Sequence, residues 1–110
     1  MCGLYEYIKR EKITTPIKLQ LVLHKVVHKS DGNDVRYFRV KIEGKDVTQM
    51  VADAADLKVS TGKDTNGCLI IRGSNMDMGF ALQNRVYLRA RNAGFPDMFS
   101  YTDYIYLGRK

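Results

Sequence analysis

The sequence has no long apolar run, and no stretch approaches the roughly 18 to 20 apolar residues that a membrane-spanning helix needs. Its first residues also lack the basic segment followed by an apolar segment that marks a secretory signal peptide. We therefore expect a cytoplasmic protein that does not bind membranes.

Cysteine is also scarce. Cys2 and Cys68 lie far apart and match no paired or zinc-ligand spacing, so we expect free thiols in a reducing compartment rather than a disulfide framework. His24 and His28 are four residues apart and, together with Cys68, are conceivable metal ligands or a Cys–His pair. We interpret them instead as surface histidines and a structural cysteine, and we expect no metal site.

Signatures of catalysis are missing as well. The glycine-containing segment Gly73–Gly79 has no lysine where a phosphate-binding loop needs one, and no nucleophile is paired with a base. The spacing of Asp31, Asp34, Asp53 and Asp64 does not match a calcium-binding loop. We predict a protein that is not an enzyme, with no cofactor and no small-molecule substrate.

What the sequence does have is positive charge. It contains 18 lysines and arginines against 12 acidic residues, a formal net charge of +6. Such an excess attracts acidic partners over long range, and both nucleic acid and acidic protein surfaces qualify. The length of 110 residues predicts a single domain covering residues 1–110.

The longest predicted helix follows Gly73. Ser74 and Asp77 have the spacing of a capping box, which also explains the acid at this position without a catalytic role. Asn92 and Gly94 tolerate the left-handed conformation that ends helices, and Pro96 prevents continuation. The helix is expected to be the central element of the fold.

Helical periodicity assigns one side of this helix to the core. The predicted buried positions are Gly79, Leu82, Val86, Ala90 and Ala93, widened by Phe80, Gln83 and Tyr87. Gly79 also suggests that another backbone passes close to the helix. Arg85 and Arg89 are expected on the opposite side, near Ala81, Leu88 and Asn92.

Two strands are predicted before this helix. Ile17–His28 alternates apolar and polar residues, with Ile17, Leu19, Leu21 and Leu23 on one face and a bulge or twist expected near Val26 and Val27. Ser30–Asp34 has the composition of a turn, so Val35–Ile42 is expected to return as a second strand, with Phe38, Val40 and Ile42 on one face.

Further elements follow in order. Asp46 and Gln49 match a second capping box, before a helix with Val47, Met50, Val51, Ala54 and Ala55 on its apolar side. Leu57–Ser60 and Gly67–Arg72 are predicted strands, and residues 104–107 favour an edge strand. Residues 1–15 stay open, since Leu4–Arg10 fits either a short helix or an extended arm.

These elements define an α+β fold. We expect an antiparallel sheet of four to five strands with two helices packed on one face, in the order β-β-α-β-β-α with a possible terminal strand.

The segment Met76-Asp77-Met78-Gly79-Phe80 resembles a motif of small uncharacterised phage and prophage proteins, which contain Gly-Cys-Gly-Met-Asp-Met-Gly-Phe at the start of their last helix. The resemblance extends from Val27 to about Asp97, although Ser74 and Asn75 stand where that family has Cys-Gly. It implies a phage or mobile-element origin and a shared fold, and it implies no activity.

Two functions are compatible with these observations. The protein is either an inhibitor that docks on a host nucleic-acid-targeting defence machine, such as a CRISPR effector, or a direct nucleic-acid-binding protein. We favour the inhibitor, because the net charge is modest for a dedicated nucleic-acid binder. The target and the oligomeric state are not predicted. The predicted partner-binding residues are Arg85, Arg89, Arg91, Arg72, Arg36, Arg39 and Tyr37.

Overall fold

The computed structural model describes residues 3–14, 16–73, 78–95, 98–99 and 103–106. Within these residues the chain forms three helices and five strands, which confirms the predicted α+β class. In chain order the elements are α1 (Leu4–Arg10), β1 (Gln20–Val27), β2 (Val35–Ile42), β3 (Lys45–Asp46), α2 (Thr48–Ala55), β4 (Leu69–Arg72), α3 (Met78–Asn92) and β5 (Asp103–Tyr106).

Strand β2 is the centre of the sheet. β1 pairs antiparallel along one edge of β2, as the predicted hairpin requires. The opposite edge is shared by two antiparallel strands, with β3 beside Lys41 and Ile42 and β4 beside residues 35–38. β5 adds to the outer edge of β1 as a parallel strand, so the predicted terminal strand is present.

One face of the sheet is buried beneath the helices. Along β2 the side chains of Phe38, Val40 and Ile42 are almost inaccessible, whereas the intervening side chains are half-buried. Because side chains alternate between the two faces of a strand, this pattern assigns β2 one core face and one outer face. The core cluster also contains Leu21 of β1 and Val51 of α2, so apolar burial joins sheet and helices.

The bulge in β1 lies earlier than predicted. Leu23 pairs with Phe38 and Lys25 with Tyr37, so His24 is the additional residue, whereas the sequence analysis expected the irregularity near Val26 and Val27. The bulge shifts the alternation by one residue. Lys25 consequently shares the outer face with Tyr37.

The amino-terminal segment resolves into a helix. Leu4 and Ile8, one helical turn apart in α1, are 1% and 2% exposed and belong to the core. Their burial anchors a seven-residue helix that is too short to be stable by itself.

The start of α2 differs from the predicted capping box. Val47 occupies the N-cap position, and Gln49 donates to Asp53 instead of reaching back to the helix start. Asp46 lies in β3, and its carboxylate accepts hydrogen bonds from the Thr48 N–H and the Thr48 hydroxyl. The prediction was wrong because pairing with β2 keeps Asp46 in the strand, so the N-cap and the helix start lie one residue later than predicted.

The predicted strand Leu57–Ser60 is reduced to a single bridge between Val59 and Leu69. Asp56 ends α2 in the left-handed conformation, with φ of 58°. The chain after it approaches β4 only briefly before the loop that returns to Cys68. β4 itself begins at Leu69, two residues later than predicted.

Helix α3 buries the predicted stripe. Leu82, Val86 and Ala90 are 2%, 0% and 1% exposed, respectively. Ala93 is exposed, contrary to the prediction, because α3 ends at Asn92 and Ala93 lies in the turn that follows. Gly94 completes this turn with φ of +95°.

Some expectations for α3 lie outside the described residues. They include the capping box of Ser74 and Asp77. The backbone of Gly79 and Phe80 belongs to α3, but the predicted burial of these two residues also lies outside what the structure describes. Among the helices described, none is both long enough and apolar enough to cross a membrane.

The buried stripe of α3 offers a matched pair of leucines for a stability test. Leu82→Ala is expected to lower the free energy of unfolding by about 2–5 kcal/mol, because the truncation leaves a cavity in the core. Leu88 lies on the same helix but is 47% exposed, so Leu88→Ala is expected to change it by no more than about 0.5 kcal/mol. Urea denaturation of both variants measures the difference, and similar losses would contradict the orientation of α3.

Asp46 makes stability dependent on pH. Burial raises the pKa of Asp46, but the hydrogen bonds from Thr48 and the charges of Arg39 and Lys41 outweigh burial and hold the pKa below its usual value. A carboxyl group whose pKa falls on folding stabilises the protein fully above its unfolded-state pKa, about 3.9 for aspartate. That contribution disappears as the pH falls through the lower folded-state value. We expect the stability difference between wild type and Asp46→Asn to shrink on acidification, and a difference independent of pH would refute this role.

Candidate docking surface on the long helix

A stripe of exposed residues runs along α3 beside the buried one. It consists of Ala81, Arg85, Leu88, Arg89 and Asn92, all of which are exposed, and we call it the α3 stripe. The spacing of four, seven, eight and eleven residues places them on one side of a helix.

The α3 stripe is not directly opposite the core. At about 100° per residue, Arg85 and Arg89 lie roughly 60° to 100° around the helix from Val86. They therefore occupy the flank of α3 that faces the end of α2, whereas the sequence analysis expected the opposite side. Arg91 is also exposed, but it lies on the other flank.

Two features make the α3 stripe distinctive. Leu88 is 47% exposed and is the one exposed large hydrophobic residue in the described part of the chain. A single exposed leucine is ordinary on a protein surface. Leu88, however, lies between Arg85 and Arg89 on a helix segment with three arginines and no acidic residue. The stripe thus combines an apolar contact with positive charge that no acidic residue of α3 balances.

Tyr5 of α1 contacts both α3 and the segment that follows it. The Tyr5 hydroxyl donates to the Val86 carbonyl at 3.3 Å, and the Tyr5 ring stacks on Phe95 at 5.4 Å between centroids. Burial raises the pKa of Tyr5, while the nearby charge of Arg89 acts in the opposite direction. Tyr5 therefore stays a neutral hydrogen-bond donor at neutral pH.

The arginines of the α3 stripe are largely available to a partner. Arg89 Nη2 lies 3.7 Å from Asp56 Oδ2, but these side chains are 51% and 85% exposed. Exposed ion pairs of this kind contribute at most about 1 kcal/mol. Arg85 has no carboxylate partner among the residues that the structure describes.

Other predicted partner-binding residues have internal roles. Arg36 is 8% exposed, and its Nη1 donates to the Gly73 carbonyl at 2.9 Å. Arg39 donates to the Asn66 carbonyl at 2.9 Å and lies 3.5 Å from Asp46. These contacts connect the sheet to its loops, so we leave both arginines out of the proposed surface.

The outer face of the sheet is partly covered by a loop. Residues 61–67 begin beside β4, yet Asp64 contacts β1 on the far side of β2. Its carbonyl accepts a hydrogen bond from His24 Nε2 at 2.9 Å, and its carboxylate lies 4.0 Å from Lys25. The loop therefore crosses the face that carries Tyr37 and Arg39. The glycine and asparagine content of residues 61–67 indicates a loop. It does not predict that the loop crosses the sheet.

The histidines and Cys68 do not assemble into a reactive site. His28 Nδ1 donates to Asp34 at 2.9 Å, and the pKa of Asp34 is lowered by hydrogen bonds from the Lys29 N–H and from His28. Cys68 is buried and free, and burial raises the pKa of its thiol. No group of three or more potential metal ligands occurs in the part of the chain described.

The structure brings together two predicted residues from different elements. Arg72, exposed at the end of β4, and Arg85 line the same groove, which has a volume of about 340 Å³. Lys58 lines it as well, although its sequence pattern predicts only a strand position. Tyr37 does not line the groove, but it is half-buried on the outer face beside Ile70, which does.

Comparison with protein-family models, with curated proteins and with solved structures finds no match to this chain.

The exposed pair of Arg89 and Asp56 is expected to contribute little to folding. Asp56→Asn should change the free energy of unfolding by less than about 1 kcal/mol, because the pair is solvated and asparagine also tolerates the left-handed backbone. Thermal or urea unfolding measures this change. A loss above about 2 kcal/mol, comparable with a buried network, would mean that Arg89 is committed to the fold and unavailable for binding.

Proposed function

We propose that this protein is a non-enzymatic inhibitor that acts in the cytosol of a host cell by docking on a nucleic-acid-targeting defence machine, such as a CRISPR effector. The α3 stripe is the proposed contact, and an acidic protein surface with an apolar depression is the proposed target. The resemblance of Met76–Phe80 to small phage proteins supports the biological context.

The observation that carries this proposal is the position of Leu88 between Arg85 and Arg89. Protein interfaces are enriched in arginine, and their energy concentrates in a few contacts that exclude water. Leu88 offers the apolar contact, while the two arginines add charge-assisted hydrogen bonds to carboxylates. The combination fits a protein surface with both features.

Direct binding of nucleic acid is the weaker alternative. A phosphate backbone attracts the arginines but offers nothing to Leu88. On the outer sheet face, where cations and Tyr37 resemble a stacking platform, the loop of residues 61–67 already contacts His24, Lys25 and Arg39. Less of that face is free for bases to stack on.

The charge of the protein also restricts where it would bind. Effectors of this kind hold their nucleic acid in a positively charged channel, which repels a protein of charge +6. The proposed site is therefore an acidic surface outside the channel. Inhibition would block assembly or a conformational step while leaving bound nucleic acid in place.

The proposal predicts that the double variant Arg85→Glu/Arg89→Glu loses inhibition, because the reversed charges repel an acidic target. Phage plaque formation on bacteria that express the protein and carry a CRISPR effector is the readout. Leu88→Ser is expected to weaken inhibition without changing the net charge. The control Lys29→Glu/Lys63→Glu makes the same charge change at exposed positions away from α3, and it should inhibit like wild type.

Binding of nucleic acid is tested in parallel. Fluorescence polarisation with labelled single-stranded DNA, duplex DNA and RNA is measured at about 50 and 200 mM salt, a range over which phosphate contacts weaken strongly. We expect no specific binding. Tight, salt-dependent binding that the Arg85→Glu/Arg89→Glu variant loses, or inhibition that this variant retains, would overturn the proposal.

A further inference from the structure

A groove opens where the chain after α2 separates from β4. It has a volume of about 340 Å³ and lies between Leu57 and Lys58 on one side, Ile70 and Arg72 on another, and Arg85 of α3 above. Arg85 belongs to the α3 stripe as well, so groove and stripe form one continuous surface.

The backbone at the floor of the groove is the edge of β4 that faces away from β2, and the chain after α2 pairs with only the first part of it. Ile70 donates its N–H to the Lys58 carbonyl at 3.1 Å, so the polar backbone groups of Ile70 point away from β2. Backbone groups two residues apart along a strand point to the same edge. The N–H of Arg72 therefore points the same way. Neither this N–H nor the Ile70 carbonyl has a partner within the residues described.

The walls of the groove are mainly cationic. Lys58, Arg72 and Arg85 face the single acidic residue Asp56, and Asp56 is already near Arg89. Leu57 and Ile70 supply half-buried apolar surface. The groove thus offers one backbone donor, one backbone acceptor, an apolar floor and a positively charged rim.

We infer that this groove binds an extended acidic segment of the partner protein, which adds to the edge of β4 as a short strand. This inference rests on the proposed function and names the part of the partner that is recognised. The added backbone would donate to the Ile70 carbonyl and accept from the Arg72 N–H, the geometry of strand addition. Alternate acidic side chains of the segment would lie against Lys58 and Arg72 on the outer face of the sheet, where Ile70 pairs with Tyr37. Arg85 borders the same groove from the helical side.

A peptide fits these groups better than a nucleic acid does. A DNA backbone has acceptors for the cations and for the Arg72 N–H, but it has no donor for the Ile70 carbonyl, and RNA has only its 2′-hydroxyls as backbone donors. A buried carbonyl left without a donor costs binding free energy. A peptide supplies donor and acceptor alternately along each edge.

The probe for this inference is an eight-residue peptide that alternates glutamate and valine, titrated into the ¹⁵N-labelled full-length protein. We expect saturable binding, with chemical-shift changes centred on Lys58, Ile70 and Arg72 and slowed exchange of the Arg72 amide. A peptide of the same composition with N-methylated backbone amides lacks the donor and should bind at least about tenfold more weakly, a difference of about 1.4 kcal/mol.

The matched variants are Lys58→Glu/Arg72→Glu, expected to abolish peptide binding, and Lys29→Glu/Lys63→Glu, expected to preserve it. Circular dichroism and thermal unfolding check that both remain folded. Equal affinity for the N-methylated peptide, shifts centred elsewhere, or no binding would overturn the inference. So would binding of single-stranded DNA in the groove where the peptide does not bind.

The same variants separate this inference from the proposed function. If Lys58→Glu/Arg72→Glu retains full inhibition while Arg85→Glu/Arg89→Glu loses it, docking through α3 stands and the groove is not the site. If the peptide binds as expected but the α3 variants inhibit normally, the groove stands and the proposed function fails.

Discussion

Burial of one face of β2 is the constraint on which the rest of the structure depends. Phe38, Val40 and Ile42 point to the same side of this strand, and all three are nearly inaccessible. β1, β3 and β4 pair directly with β2, and the helices cover its core face. This arrangement decides which side of each packed element meets solvent, and therefore which basic residues of those elements are exposed.

The two sides of the sheet consequently differ in what they offer a partner. On the helical side, packing of Leu82 and Val86 leaves the α3 stripe exposed, with charges that the helix does not balance. On the outer side, basic residues contact the loop of residues 61–67; Arg39, for example, donates a hydrogen bond to the Asn66 carbonyl. The number of basic residues alone does not show which of them can bind a partner. An arginine that donates to a backbone carbonyl of its own chain is less available for recognition.

Local patterns in the sequence predict the fold where one interaction dominates. Alternation predicts β2 with the observed bounds, and the helical period predicts burial of Leu82, Val86 and Ala90, because each pattern reflects a single buried face. Predictions fail where two interactions compete. Pairing with β2 holds Asp46 in a strand although its spacing to Gln49 suggests a cap, and the bulge at His24 depends on the register with Phe38 and Tyr37.

The sequence by itself determined the α+β class, the main hairpin and the buried side of α3, because these follow from the spacing of neighbouring apolar residues. Only the tertiary structure decided which basic residues share a surface. Arg72 and Arg85 belong to different elements, and they line one groove because α2 packs against both α3 and β4. Arg36 and Arg39 instead donate hydrogen bonds to the backbone carbonyls of Gly73 and Asn66, which lie 37 and 27 residues away in the chain. Such contacts depend on how distant segments of the chain pack together, and the spacing of neighbouring residues does not predict that packing.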